Sequence, residues 1–193
     1  YNSYTLFNTF GGAIQILSMM LFFPFMRKVL TTTQVFFTGM TMAITGYATL
    51  LVLMICNINN ILVLFIPGFL VFTAFGLLTV LTTVFLANTV DYGELKNSRR
   101  DESVIFSMQT FVVKLASGVS ALIASICLSV FNISDNTDNV VASASFSSVL
   151  GLRMTMTLLP IVGFVIALLV FKKKFILTEA KVNSITMELK ERK

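Results

Sequence analysis

The sequence lacks histidine and tryptophan, and it has only two cysteines among 193 residues. Cys56 and Cys127 lie far apart with no second ligand type beside them, so neither a zinc site nor a disulfide framework is predicted. Charge is scarce as well, since 12% of the residues are charged, 56% are apolar and the mean hydropathy is +0.89. Such a chain cannot build the charged surface of a soluble domain, so we expect it to be surrounded by lipid.

Long apolar runs dominate what is present. Five of them are long enough to cross about 30 Å of hydrocarbon, and they cover residues 5–26, 34–56, 61–86, 104–130 and 149–171. The predicted fold is therefore an all-α membrane protein, with residues 1–171 forming a helical bundle and residues 172–193 a basic tail. No enzyme is indicated, because the sequence shows no nucleophile with a base, no metal cluster, no cofactor motif and no phosphate-binding glycine loop.

The basic residues sort into alternate connections. Of the 14 basic residues, twelve fall in the first connection, the third connection and the tail: Arg27, Lys28, Lys96, Arg99, Arg100, Lys172, Lys173, Lys174, Lys181, Lys190, Arg192 and Lys193. The only charged residues in the other two connections are Asp135 and Asp138. Because cytoplasmic loops retain Lys and Arg, the N-terminus is predicted outside and the C-terminus in the cytoplasm. Without a continuous basic stripe, no nucleic-acid partner is predicted.

Lys114 is the most informative single residue. It lies near the middle of the fourth run, about 15 Å from its start at 1.5 Å per helical residue. A charge at that depth costs roughly 2.5–3.5 kcal/mol unless a partner or a water-filled cavity offsets it. None of the nine acidic residues lies within an apolar run. The odd number of runs and the start at Tyr1 indicate a piece of a longer protein, so we expect the partner of Lys114 outside this sequence.

Hydroxyl and small residues accompany Lys114 along one helix face. At spacings of three or four, this polar stripe contains Ser103, Ser107, Thr110, Lys114, Ser117 and Gly118. One interpretation is a packing seam whose hydroxyls bond to the preceding helical turn. With Lys114 and the nearby amide of Gln109 included, the pattern favours a hydrated pathway for a polar solute.

The third connection mixes charges of both signs, with seven charged residues in the twelve from 91 to 102. One interpretation is a solvated loop in which Asp101 and Glu102 lie at the positive N-terminus of the next helix. The other is a set of ion pairs that form when a transporter closes and break when it opens.

A family resemblance rests on this connection and the following run. The sequence Val90-Asp91-Tyr92-Gly93-Glu94, followed by Arg100, Glu102-Ser103 and Phe106-Ser107-Met108-Gln109-Thr110-Phe111-Val112-Val113-Lys114, resembles the glycoside-pentoside-hexuronide:cation symporters of the major facilitator superfamily. The resemblance implies spans eight to twelve of a twelve-span fold in which two six-helix bundles rock around a central sugar site. It also implies symport of a sugar with Na⁺ or H⁺ by alternating access across the bacterial cytoplasmic membrane.

The resemblance implies roles for particular residues. Lys114 matches a lysine near cation-binding aspartates of the N-terminal bundle, and Gln109 and Thr110 match positions that line the sugar cavity, on the helix that also carries Ser107. The resemblance further implies a cytoplasmic charge network, whose members are Asp91, Glu94, Lys96, Arg100 and Glu102.

Two positions depart from the family pattern. Asn88 stands where the family frequently has an acid, and Thr79 lies near the place where some members stack a tryptophan on the sugar ring. The sugar, the coupling ion and the oligomeric state are therefore not specified by the sequence. Two alternatives stay open: another facilitator that carries lipids, drugs or peptides, and an accessory membrane subunit that transports nothing.

Overall fold

The computed structural model describes residues 2–56, 61–131 and 146–191, and every regular element in these ranges is a helix. The helices are α1 (Asn2–Leu17), a π-helical turn (Ser18–Phe22), α2 (Phe23–Arg27), α3 (Thr32–Ile55), α4 (Ile61–Asn97), α5 (Glu102–Val130), α6 (Phe146–Lys174) and α7 (Glu179–Glu191). Five segments are long and apolar enough to cross a membrane: Thr5–Arg27, Thr32–Ile55, Leu62–Asn97, Glu102–Val130 and Ser147–Lys174. The prediction of an all-α membrane protein with five spans is confirmed. The connection at 57–60 and the stretch with Asp135 and Asp138 lie outside the described residues.

The first span changes helical register immediately before Pro24. Proline has no backbone N–H and its ring collides with the carbonyl group four residues earlier, so the wider π-helical turn accommodates it. Ser18, at the start of this turn, is buried and donates a hydrogen bond to the carbonyl oxygen of Thr73 at 2.8 Å. A Cβ atom at Gly76 would lie 2.6 Å from the carbonyl oxygen of Gln15. The first span and α4 are therefore in close contact here.

Helix α4 is the centre of the bundle, because α1, α3, α5 and α7 all contact it. Its Leu77 and Leu81 are fully buried against Val35 of α3. Aromatic rings continue this core, with the ring centroids of Phe36 and Phe171 lying 3.9 Å apart. Between membrane-spanning helices these contacts stabilise the bundle by van der Waals packing, because lipid tails are as apolar as the side chains themselves.

Helix α3 begins at a complete capping box. The Thr31 hydroxyl accepts a hydrogen bond from the backbone N–H of Gln34 at 3.3 Å, and the Gln34 side chain accepts one from the N–H of Thr31 at 2.9 Å. These two bonds satisfy donors that have no partner within the helix. The start of α3 is thus fixed next to α2 and Arg27.

Helix α4 extends further than the apolar run on which it was predicted. The apolar runs at 61–86 and 104–130 predict a connection over residues 87–103. In the structure α4 continues to Asn97, and only residues 98–101 link it to α5. The extension contains good helix formers such as Leu95 and Lys96, and Val90 is buried with 2% of its surface exposed. Ser98 then ends the helix with a φ of 52°. The interpretation of this whole stretch as a solvated loop was therefore wrong for residues 87–97.

Candidate functional site

Arg100 gathers three carboxylates at the junction of α4 and α5. Its Nη1 donates to Glu94 at 2.8 Å and to Asp91 at 3.4 Å, and its Nε donates to Glu102 at 3.2 Å. Asp91 and Glu94 lie three residues apart on the last turns of α4, so both side chains point along one face toward the connection. The structure thus brings together four of the five residues predicted for a charge network, which we call the Arg100 cluster.

The Arg100 cluster has more negative than positive charge, since one guanidinium meets three carboxylates. Hydrogen bonds to Glu94 and then to Glu102 raise the pKa of Arg100 above its ordinary value. Arg100 is exposed, so solvent screens each of its ion pairs and none contributes much by itself. Pairs this weak and this exposed can break and re-form at low cost.

The neighbouring charges are arranged differently. Arg99 pairs with Asp101 at 2.8 Å, and Asp101 precedes α5 without a side-chain bond to its first turn. Glu102 lies in that first turn, where the helix dipole favours a negative charge. Lys96 is exposed and takes part in none of the ion pairs within residues 2–56, 61–131 and 146–191. The structure therefore does not bring Lys96 into the Arg100 cluster.

The polar stripe of α5 is exposed along its length. Ser107 donates to the carbonyl of Val104 at 2.9 Å, and Thr110 donates to the carbonyl of Phe106 at 3.0 Å. The hydroxyls are thus bonded to the preceding turn, as one of the two interpretations holds, but they are exposed rather than packed in a seam. Because each donor is used within the helix, the oxygen lone pairs are left to accept hydrogen bonds from a solute.

Lys114 adds the opposite chemistry to this stripe. Its ammonium group offers up to three donors, and the residue is exposed at the thirteenth position of the 29-residue helix α5. No ion pair within the described residues includes it. Gln109 is half-buried and lies about 140° around the helix axis from Lys114 at 3.6 residues per turn. The structure therefore groups Lys114 with Ser107 and Thr110, and it does not place Gln109 on that stripe.

The Arg100 cluster and the polar stripe are continuous in space. Arg100, Glu102, Ser103 and Phe106 line one open depression at the start of α5. Ser103 is the first residue of the stripe. The stripe and the Arg100 cluster therefore meet at the start of α5. Thr79 is exposed, and its hydroxyl donates to the carbonyl of Phe75 at 2.7 Å.

A second charge site was not predicted from the sequence. Glu179, the first residue of α7, accepts hydrogen bonds from Arg27 at 2.5 Å and from the backbone N–H of Thr32 at 3.2 Å. Its neighbour Lys181 lies 5.6 Å above the ring of Tyr92 on α4. The sequence predicts only a basic tail here, and these contacts place α7 against the bundle. Partners 152 residues apart give no sequence signal.

Comparisons with known proteins agree with this architecture. A family model described as MFS/sugar transport protein matches residues 1–176. This family is a transporter family rather than an enzyme class.

Similar proteins come from lactobacilli. A lactose permease of Lactobacillus helveticus is 26% identical over 171 residues, which is 88% of this chain and 25% of that protein. An isoprimeverose transporter of Lactiplantibacillus pentosus is 33% identical over 119 residues, 60% of this chain and 23% of its own length. A lactose permease of Lactobacillus delbrueckii subsp. bulgaricus is 27% identical over 185 residues, 94% of this chain and 27% of that protein.

The chain thus spans about a quarter of the length of the curated relatives it matches. The resemblance to sugar:cation symporters drawn from the loop motif is confirmed. Since the family model covers nearly the whole chain, the chain belongs to the MFS/sugar transport protein family.

Proposed function

We propose that this chain forms spans eight to twelve of a secondary active transporter that moves a sugar together with Na⁺ or H⁺. Transport proceeds by alternating access and involves no covalent step. The observation that carries the proposal is Lys114, a charge in the middle of a membrane-spanning helix, exposed on a stripe of hydroxyl oxygens. A lysine at that depth needs a partner or water, and a sugar pathway supplies both.

The stripe suits a sugar because sugar hydroxyls both donate and accept hydrogen bonds. Ser107 and Thr110 offer acceptor oxygens, whereas Lys114 offers donors. We assign Gln109 to the edge of the same pathway, where its amide supplies a further donor and acceptor. We also propose that the positive charge of Lys114 interacts with the carboxylates that bind the coupling cation elsewhere in the intact carrier.

The Arg100 cluster serves as a gate in this proposal. Its excess of carboxylates attracts basic groups from the facing half of the carrier when the pathway closes at this end. Lys96 stays exposed beside the cluster and is available to exchange partners during the cycle. Exposed pairs of this kind bias a conformational equilibrium without locking it.

We assign the end of the bundle with the Arg100 cluster to the cytoplasm. Contacts from Arg27 to Glu179 and from Lys181 to Tyr92 support this, because they gather the basic first connection, the third connection and the tail at one end. An excess of Lys and Arg is typical of cytoplasmic segments. The proposed location is the bacterial cytoplasmic membrane, and Lys172, Lys173 and Lys174 would lie at its anionic inner surface.

Disaccharides are the first substrates to test, since relatives are named for lactose and for isoprimeverose. The intact carrier is reconstituted in liposomes, and uptake of each labelled sugar is measured under an inward Na⁺ gradient, an inward proton gradient or neither. Uptake that depends on one gradient supports symport. Binding of each labelled sugar to the same protein is measured in parallel. Sugar binding without gradient-driven uptake would contradict coupling, and the absence of both binding and uptake would favour an accessory subunit.

A further inference from the structure

The carboxylate of Glu179 binds the first turn of α3. One oxygen, Oε1, accepts hydrogen bonds from Arg27, from the backbone N–H of Thr32 at 3.2 Å and from the Thr32 hydroxyl at 3.1 Å. Thr31 already caps the N–H of Gln34, so Glu179 satisfies a different donor of the same first turn. A carboxylate in this place is also favoured by the positive end of the α3 dipole.

Two further contacts hold the remainder of α7. Ile185, two turns after Glu179, is buried with 3% of its surface exposed. Lys181 lies over the ring of Tyr92, a cation–π contact with α4. Tyr92 follows Asp91 directly in the helical turn that supplies carboxylates to Arg100. The short helix α7 therefore contacts both the start of α3 and the turn behind the Arg100 cluster.

The interface between α7 and the bundle is not a packed core. A half-open cavity of about 280 Å³ lies between α7, α3 and α4, where polar residues such as Asn88, Asn183 and Thr33 line it beside apolar residues such as Phe85. A polar cavity of this size holds water rather than close side-chain contacts. Docking of α7 thus depends on Glu179, Lys181 and Ile185 rather than on an extended apolar surface.

We propose that α7 is a detachable clamp. While docked, it ties the connection between α2 and α3 to the end of α4, so that Arg27 and the Arg100 cluster move together. When Glu179 leaves the start of α3, the two charge sites move independently. This inference goes beyond the proposed transport function, and its test requires no substrate.

The test uses hydrogen–deuterium exchange of the full-length protein in lipid nanodiscs. Glu179→Gln keeps the size of the side chain but removes its charge. We expect amides of residues 182–189 to exchange about fivefold faster, the effect of weakening a charge-assisted contact that is a third exposed. The first turn of α3, residues 32–35, and residues 90–97 of α4 should exchange faster as well, because the clamp ties them together.

Glu188→Gln is the matched control. Glu188 is exposed and lies nine residues after Glu179, on the opposite side of α7 at 3.6 residues per turn. Its substitution should leave all three segments at the wild-type rate. Equal acceleration by both variants, or none by Glu179→Gln, would overturn the clamp. Faster exchange in α7 alone, without change in α3 and α4, would overturn the coupling.

A charge exchange separates the ion pair from the helix cap. The double variant Arg27→Glu with Glu179→Arg restores an ion pair but places a cation at the positive end of α3. We expect it to exchange at least as fast as Glu179→Gln, and wild-type protection would contradict the capping role. Ile185→Ser provides an independent route to release, and it should accelerate exchange in the same three segments.

Discussion

Helices α4 and α5 are neighbours in the chain with similar apolar character but opposite surroundings. In α4, 39% of an apolar 18-residue stretch is buried within the chain, whereas no residue of the corresponding stretch of α5 is buried. Helix α4 meets its neighbours through Leu77, Leu81 and Gly76, while α5 presents Lys114 and hydroxyls on an open face. The difference teaches that hydropathy identifies a span, whereas the placement of a few small and polar residues distinguishes a span packed inside the bundle from one with an open polar face.

The largest expected effect is at Lys114. If the open face of α5 is a transport pathway, Lys114→Ala in the intact carrier should reduce coupled sugar uptake by about two orders of magnitude or more, because removing one member of a buried charge pair costs roughly 3–5 kcal/mol. Expression should stay near the wild-type level, because no described residue relies on Lys114 for packing. Leu115→Ala, at an adjacent position that is 56% exposed, is the control and should keep most of the uptake. Wild-type uptake rates in Lys114→Ala would reject the pathway.

A pair of glycines sharpens the comparison next. In α4, Gly76→Ala would place a methyl group 2.6 Å from the Gln15 carbonyl oxygen, so we expect destabilisation by about 1–3 kcal/mol. In α5, nothing lies within 4 Å of a Cβ built on Gly118, so Gly118→Ala should be neutral or stabilise by at most about 1 kcal/mol. Thermal unfolding of the two variants measures both effects. Equal destabilisation would mean that α5 is as closely packed as α4.

A smaller effect is expected at the junction of the two helices. Arg100→Ala removes the guanidinium that binds Asp91, Glu94 and Glu102. Because exposed ion pairs are weak, we expect turnover to change only severalfold and sugar affinity to stay nearly unchanged. Asp91→Ala should act in the same direction. Arg99→Ala is the control, since Arg99 is 79% exposed and pairs with Asp101 instead. Sugar exchange rates that stay at the wild-type value in Arg100→Ala and Asp91→Ala would contradict a gate.

The smallest effect concerns acid and the tail. Burial favours a raised pKa for Glu179, but hydrogen bonds from Arg27 and Thr32 outweigh it and hold the pKa below the ordinary 4.5. For a lowered carboxyl pKa, the contribution to docking is complete above pH 4.5 and is lost only as the pH falls through the folded-state value. The groups that face Glu179 are Arg27 and Thr32. Amide protection of α7, corrected for intrinsic exchange, should therefore be equal at pH 7 and pH 5, and release between them would be the contrary result.

Much of the fold could be predicted because lipid imposes a simple rule. Each span needs about 20 apolar residues, and each backbone group must be bonded within its helix. The π-helical turn before Pro24 was not predicted, and the extension of α4 to Asn97 was missed because it depends on burial within the bundle. In α4, for example, Val90 is buried although the residues around it are charged and polar.

The candidate site divides in the same way. The grouping of Arg100 with Asp91, Glu94 and Glu102 could be anticipated, because these residues are close in the sequence. The contact of Glu179 with Arg27 could not, because it spans 152 residues. Periodicity places Lys114 with Ser107 and Thr110, whereas Gln109 was included as a nearby amide in the same span and by resemblance, and it lies off the stripe.

The most direct test of the central claim is the water accessibility of the stripe. In an intact carrier with every native cysteine replaced, Cys56 and Cys127 among them, Thr110→Cys and Val112→Cys place single thiols on opposite sides of α5 at 3.6 residues per turn. Labelling with a hydrophilic maleimide should modify Thr110→Cys readily and Val112→Cys hardly at all, because only the stripe faces a hydrated pathway. Equal labelling of the two positions, or labelling of Val112→Cys alone, would contradict the account.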